Sequence, residues 1–393
     1  FYLKFTNTNT QLGDLMNNIN KIEFFDNFSC IGDKCNFTCC QGWKIAIDDI
    51  TYTKWKSRLP HSVIKKTTWR VSAKDKSSTK YIKLNKKNQC PFLEADGLCD
   101  LITNYGEDFL STTCQTFPRQ ENIFQQVSEL SLSFACPSVV DLLNTLNAPL
   151  AFIKEGVNLK EHDLPLGKKI NLTMLNIIQN HSFTLKNRLM IIFYFLLSIS
   201  KELVVSHKQF LLFNDQDYLN SLSQLWEDQP RESYHSWREL NELFLDITLH
   251  YKKESCYKPH LIPIVKHAET SSFELFNDNI SAFNETFSQW NLLIENYLVA
   301  SIFASCISDD IDEIIMSYQI ILTEYLMIKY SSFLYYTLNK ELMDYKSLQN
   351  FIVIYSRIIG YNTDGIIEFW EDSFDKSIWE PSYTLLLLQT LTK

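Results

Sequence analysis

Eight of the chain's ten cysteines fall between Cys30 and Cys136, and this crowding limits what the first third can fold into. The spacing is Cys30-x4-Cys35-x3-Cys39-Cys40, then Cys90-x8-Cys99-x14-Cys114-x21-Cys136. Disulfides would need an oxidising compartment, and Phe1 to Asn20 is polar, without the apolar run of an export signal. Inert buried thiols account for one or two positions, not eight. Thiolate ligation of a metal is the expectation that remains, because four soft sulfur ligands complete either a tetrahedral zinc site or a four-iron cluster. Spacing leaves zinc and iron–sulfur open. Cys35 and Cys39 can converge on a turn, whereas Cys39 and Cys40 start in different directions and share a centre only on irregular backbone. The radical cofactor-cleaving pattern C-x3-C-x2-C is absent, since Gly42 stands where its third cysteine would be.

Of 393 residues, 45% are hydrophobic and 21% charged, which predicts a globular chain with more than one unit. Only nine glycines are present and none forms a G-x-G, so dinucleotide and P-loop phosphate sites are not expected. The longest apolar run, Leu189–Leu197, falls short of the roughly 20 residues a membrane span needs. A cytoplasmic location is expected, with peripheral membrane association and self-association left open. The net charge of −9 conceals a basic stretch, residues 44–87, with 13 basic and 3 acidic side chains. It reads as a solvated surface insertion or as a surface for an acidic partner.

The texture changes near residue 137. Before it, short apolar pieces such as Trp43–Ile47 and Tyr81–Leu84 alternate with polar loops broken by Pro91, Gly97, Gly106 and Pro118. Beyond it, apolar spacing of three and four predicts helices over Val139–Leu146, Thr173–Ile178, Lys186–Leu203, Tyr218–Leu225 and Ser236–His250. Asp217 and Ser236 are expected as N-caps. Pro259, Pro263 and the polar Glu269–Asn279 predict a loop. Helices are expected again over Phe287–Cys306, Asp310–Leu338, Ser347–Gly360 and after Glu380-Pro381, with Asp310 opening the second and Gly360, Asn362 and Gly365 closing the third. The expected fold is mainly α: an irregular cysteine-rich metal-binding N-terminal domain with short strands, followed by a helical domain. The expected divisions are an extension over 1–22, the cysteine-rich unit over 23–140 with its basic insertion at about 61–87, a helical region over 141–258 and a second over 280–393.

Several segments are similar to the flagellin lysine N-methylases. They are Phe28–Asp48 with its four cysteines, Cys90-Pro-Phe-Leu93 with Gly97-Leu-Cys99, Gly106–Leu110, Thr113–Arg119, Glu129–Pro137 and, far downstream, Leu293–Phe303. The likeness spans about residues 23–310, most specific over 28–137, and the cysteine-rich part also resembles a broader zinc- or iron-chelating family. Asn36-Phe37 departs from the acidic pair expected there. The resemblance implies methyl transfer from S-adenosylmethionine to lysine ε-amines of flagellin, and an oxygen-sensitive [4Fe–4S] cluster. Carried over by position, its ligand candidates are Cys30, Cys35, Cys39, Cys40, Cys90, Cys99, Cys114 and Cys136, twice the number one cluster uses.

Lysine methylation needs a neutral amine in line with the sulfonium methyl and shielded from water. Trp43, Tyr297, Tyr318, Tyr325 and Tyr330 are candidate pocket walls through cation–π attraction, with core packing the competing reading. Glu295 and Glu324 are candidate bases against solvated or capping roles. Arg119 is a candidate for steadying a cluster's negative charge, against a surface ion pair. No catalytic residue is assigned. The alternative function is a non-catalytic zinc- or iron-binding protein that docks nucleic acid or an acidic partner through residues 44–87, where Tyr52, Trp55, Trp69 and Tyr81 are interleaved. No nucleic-acid module matches, so nucleic acid is the less expected partner.

Overall fold

A computed structural model of the chain describes residues 18–392 except 44, 72–77, 125–126, 157–163, 203, 228–232, 250, 253–254, 342, 362–365, 368–369 and 371–379. Asn362 and Gly365, residues 1–17 of the expected extension and 72–77 of the basic insertion lie outside the described residues.

Two small sheets occupy the N-terminal third. The larger has the order β5-β6-β1-β7, made of β1 (Asn18–Ile22), β5 (Arg119–Phe124), β6 (Val127–Leu132) and β7 (Phe152–Glu155). Within it β1 runs parallel to β6, with Asn18 opposite Val127, and antiparallel to β7. Part of the segment read as an extension is thus an interior strand. Its alternation places Asn18, Asn20 and Ile22 on the buried side, so two asparagines hide a strand that hydrophobicity alone does not reveal. The smaller sheet, β2-β4-β3, joins β2 (Ala46–Ile47), β4 (Ser78–Ile82) and β3 (Thr67–Val71). Around it lie α1 (Asp49–Arg58), α2 (His61–Ile64), α3 (Asp100–Tyr105) and α4 (Thr112–Thr116). Ile45, Ile47, Trp55, Phe92 and Leu101 form a core of their own there.

Helices build the rest: α5 (Pro137–Asn144), α6 (Leu166–Ile178), α7 (Leu185–Ser200), α8 (His207–Leu212), α9 (Gln216–Glu227), α10 (Ser233–Leu249), α11 (Lys258–Glu269), α12 (Phe273–Phe287), α13 (Asn291–Ser305), α14 (Ile311–Asn339), α15 (Tyr345–Tyr355) and α16 (Pro381–Thr390). The 29-residue α14 is buried on nearly every side, against α7, α11, α12, α13 and α15, which is why its sequence is apolar all round. Asp310 caps it as expected, accepting from the Asp312 N–H at 2.9 Å. The large core runs from Ile22, Phe28, Phe37 and Cys136 through these helices to Leu391, so the expected helical regions and the larger sheet share one interior.

Three expectations are corrected. The loop expected at Pro259–Asn279 is mostly two helices, α11 and α12. Leu261, Ile264, Val265 and Ala268 bury one face of α11, outweighing the roughly 3 kcal/mol an internal proline costs at Pro263. Ser272 caps α12, whose Phe276, Ile280, Phe283 and Phe287 face inward while its polar residues face out. Asp215, not Asp217, caps α9 by accepting from the Tyr218 N–H at 2.9 Å, and Ser236 lies inside α10 rather than before it. Among the described residues no helix is long and apolar enough to cross a membrane.

Candidate metal centre

All ten cysteines are free thiols, and the eight candidates fall into two neighbourhoods. Cys40, Cys90, Cys99 and Cys114 line the small core. The Cys90 N–H donates to the Cys40 carbonyl at 2.7 Å, drawing residues 50 positions apart together. Cys40 accepts sulfur hydrogen bonds from Cys39 and Cys90, which lower its thiol to about 3, with further help from Thr38 and Arg357. The same bonds push Cys39 and Cys90 well up. Burial raises Cys114 to about 12, with Cys40 and Cys99 adding to the rise. Cys136 is likewise raised to about 11, first by burial, with Cys35 among its electrostatic neighbours, and Cys30 is in turn a neighbour of Cys35. Gathering these sulfurs therefore penalises more than one thiolate at a time, a cost that a bound cation removes.

The backbone is arranged for anionic sulfur. The sulfur of Cys30 accepts from the Gly32 N–H at 3.5 Å. Cys35 accepts from Phe37, Cys90 from Phe92, Cys99 from Leu101 and Ile102, and Cys136 from Ser138 and Val139. Cys99 and Cys136 are the N-cap residues of α3 and α5, so a helix start points N–H groups at each sulfur. Such hydrogen bonds stabilise thiolate and tune cluster-bound sulfur.

Arg357 is the residue that sequence reasoning missed. It lies in a single π turn, Ser356–Gly360, that follows α15, and it is 2% exposed. Its guanidinium donates to the carbonyls of Phe37 (2.7 Å), Ala135 (2.9 Å), Thr38 (3.1 Å) and Gln41 (3.4 Å). It also covers the Phe37 and Trp43 rings at 5.2 and 5.5 Å. No carboxylate pairs with it among the described residues. Instead, its charge partly offsets the rise that burial and neighbouring sulfur impose on Cys35, Cys39 and Cys136, and adds to the lowering of Cys40. Four carbonyls satisfy this buried guanidinium, and with no carboxylate beside it its charge is left facing the cysteine sulfurs. The available signal was a lone arginine in the apolar run Phe351–Gly360.

The other sequence candidates separate. Trp43 joins the site: its ring meets Phe117 at 4.7 Å and Tyr361 at 4.6 Å, and its Nε1–H donates to the Cys39 carbonyl at 2.5 Å. Arg119 donates to the Phe28 carbonyl at 3.4 Å and lies over that ring. Glu295 pairs with Arg188 at 2.9 Å and His181 at 2.5 Å, which ties it down as a structural anion. Tyr318, Tyr325 and Tyr330 are core residues, with Tyr318 donating to the Leu189 carbonyl and Tyr330 to Asn241. In the basic stretch, Lys80 pairs with Asp49 and covers the Tyr52 and Trp69 rings, while Lys66 covers Phe92. Part of its charge is therefore satisfied internally, while the Trp69 ring stays half-exposed.

Two candidates meet each other. Tyr297 and Ser356 donate to the carboxyl of Glu324, which burial raises from an ordinary 4.5 to about 7. Between pH 4.5 and 7 the folded chain keeps a proton that the unfolded chain has released. Stability is therefore full below 4.5 and falls as pH rises through 7, by roughly 3 kcal/mol for a shift of this size. Urea unfolding at pH 5 and pH 8 should show this loss, and Glu324→Gln should flatten it; an unchanged slope in that variant would sink the assignment.

Gly42 explains the missing third cysteine. Its φ is +84°, and a Cβ there would stand 2.6 Å from the Tyr257 hydroxyl oxygen. Gly42→Ala should lower stability by about 1–3 kcal/mol from backbone strain alone, read as a shifted denaturation midpoint.

Among the described residues, no three His, Cys, Asp or Glu side chains converge tightly enough to hold a single ion. Soft sulfurs with N–H groups aimed at them are donors that suit zinc and iron–sulfur iron alike.

Residues 171–387 match a family model described as the FliB lysine N-methylase C-terminal domain. A lysine-N-methylase of Salmonella typhimurium LT2 is 34% identical over 178 residues, 40% of this chain and 41% of that protein. That of Salmonella choleraesuis SC-B67 is 33% identical over 178 residues, with the same coverage. The flagellar biosynthetic protein FliU of Salmonella muenchen is 35% identical over 129 residues, 32% of this chain and 75% of that protein. The chain thus spans about two fifths of the length of the two lysine-N-methylases. No solved structure matches.

Proposed function

The chain belongs to the FliB lysine N-methylase family, and from that premise we propose that it methylates lysine ε-amines of flagellin in the cytoplasm, using S-adenosylmethionine and a cysteine-held [4Fe–4S] cluster. The names of the relatives support the activity and the flagellar substrate. The observation that supports the cluster is Arg357, a buried guanidinium with no carboxylate partner among the described residues that faces the cysteine sulfurs, Cys40 among them.

Cys40, Cys90, Cys99 and Cys114 are the proposed ligands, since they share the small core and one network of sulfur interactions. When bound, the cluster supplies a redox-active, Lewis-acidic iron centre. The chain's own part is to hold the thiolates ionised through backbone N–H groups and to offset their charge with Arg357. Trp43, wedged against Phe117 and Tyr361, covers the loop and limits the entry of water. In the transfer, the lysine nitrogen lone pair forms a bond to the methyl carbon as the carbon–sulfur bond breaks, and the amine's proton leaves to solvent or a base.

Anaerobically purified protein, flagellin and S-adenosylmethionine should give methyl-lysine detectable by mass spectrometry of flagellin peptides. Iron-loaded protein that leaves every flagellin lysine unmodified would overturn the reading.

A further inference from the structure

Between the cysteine loop and the helices lies a polar cavity of about 390 Å³. Asn36, Phe37 and Gln89 line it from the cysteine side, and His260, Lys346 and Asn350 from α11 and α15. Its size falls within the roughly 300–1,000 Å³ of small-molecule sites, which favour the seam between two packed units. We propose that this cavity binds the methyl donor, an amino-acid-bearing nucleoside sulfonium; the assignment rests on the methyltransferase reading above.

The ligand's carboxylate, base and ribose each have matching groups. Lys346 is exposed and donates to Gln349 Oε1 at 2.5 Å, with no carboxylate partner among the described residues. Its ammonium is therefore available to a ligand carboxylate. It is also the one side chain of fixed positive charge among the described lining residues, which suits a single carboxylate better than a polyphosphate. The amides of Asn36, Gln89 and Asn350 offer both donors and acceptors, as a purine edge and ribose hydroxyls require. Two of them make only long internal bonds: Asn350 reaches His260 Nδ1 at 3.4 Å, and Gln89 reaches Gln41 at 3.4 Å. Exchanging these for ligand contacts loses little.

Phe37 contributes an apolar wall. Its ring lies 5.6 Å from that of His260, and the Arg357 guanidinium covers it at 5.2 Å. His260 is held toward the neutral form by burial and by Lys346, so the imidazole does not add a second charge against a sulfonium. Phe37 also stands two residues from both Cys35 and Cys39. A methyl donor in the cavity would therefore sit beside the cysteine loop.

The test is anaerobic equilibrium binding of S-adenosylhomocysteine, which cannot react, to the full chain. ATP serves as the comparison ligand. Wild type should bind the nucleoside and not ATP. Lys346→Glu should weaken binding at least about thirtyfold, and Lys346→Arg should stay within about threefold, as loss or retention of one ligand ion pair predicts. Asn36→Trp, at an exposed loop position, should weaken binding at least about tenfold by filling the cavity. Far-UV circular dichroism and iron content should match wild type in all three. Tight binding by wild type that Lys346→Glu and Asn36→Trp leave unchanged overturns this assignment alone. Failure of wild type to bind the nucleoside overturns the methyl-donor reading and the assignment with it.

Discussion

Replacing Arg357 by methionine is expected to destabilise the chain by about 3–5 kcal/mol and to strip most iron from anaerobically prepared protein. Two costs combine. The carbonyls of Phe37, Thr38, Gln41 and Ala135 lose a donor that no neighbour replaces, and each buried acceptor left alone costs about 1–3 kcal/mol before relaxation. The sulfurs also lose the positive charge that helps lower Cys40 and partly offsets the rise of Cys35, Cys39 and Cys136. Methionine retains much of the packing volume, so the loss reports hydrogen bonding and charge rather than a cavity. Arg357→Lys separates the two. It keeps the charge but cannot span the carbonyls with a planar fork, so it should retain iron better than methionine while still losing stability. Denaturant unfolding, iron and sulfide content and the reduction potential of the bound cluster are the measurements. If Arg357→Met holds full iron at an unchanged potential, the guanidinium is not the counter-ion of the centre.

Why this arginine escapes a sequence reading is instructive. Phe37 and Arg357 are 320 positions apart, and no local pattern joins them. What the sequence offers is one charged residue inside an apolar run, which announces a buried partner without naming it. The helices behave in the opposite way. Spacings of three and four in α7, α9 and α10 are local, and the Asp310 cap of α14 is local too, so their existence and approximate limits are legible. Legibility fails where tertiary burial overrides a local signal. Pro263 sits inside α11 because four apolar residues face the core, and Asn18–Ile22 enters a sheet with asparagines on its inner side.

The cysteines occupy the middle ground. Their number and spacing raise the expectation of a metal centre; which belong together they do not tell. Cys39 and Cys40 are adjacent in sequence, yet Cys40 pairs with Cys90 through both its carbonyl and its sulfur, while Cys35 finds Cys30 and Cys136 as neighbours. The turns over residues 36–43 make this sorting, helped by the positive φ of Gly42.

Single substitutions of Cys40, Cys90, Cys99 or Cys114 by alanine are expected to remove at least about three quarters of the bound iron and all measurable methyl transfer, because a four-thiolate cluster tolerates the loss of a ligand poorly. Cys30→Ala and Cys306→Ala should keep iron near wild type. Cys30 is exposed, and Cys306 is buried in the large core among helices, away from the small core. Cys40 is the most informative position. Its thiol is drawn down to about 3 by hydrogen bonds from Cys39 and Cys90, and the same bonds push those two up. Removing Cys40 therefore takes away the thiolate around which the others are arranged. Cys39→Ala removes one of its donors but no proposed ligand, so it should retain the cluster with altered visible absorption and potential. Serine replacements provide the control for folding, since they preserve size and hydrogen bonding while giving up the soft sulfur. The partition fails if Cys30→Ala loses its iron as Cys90→Ala does, or if any one of the four proposed ligands can be changed to alanine with a full cluster retained.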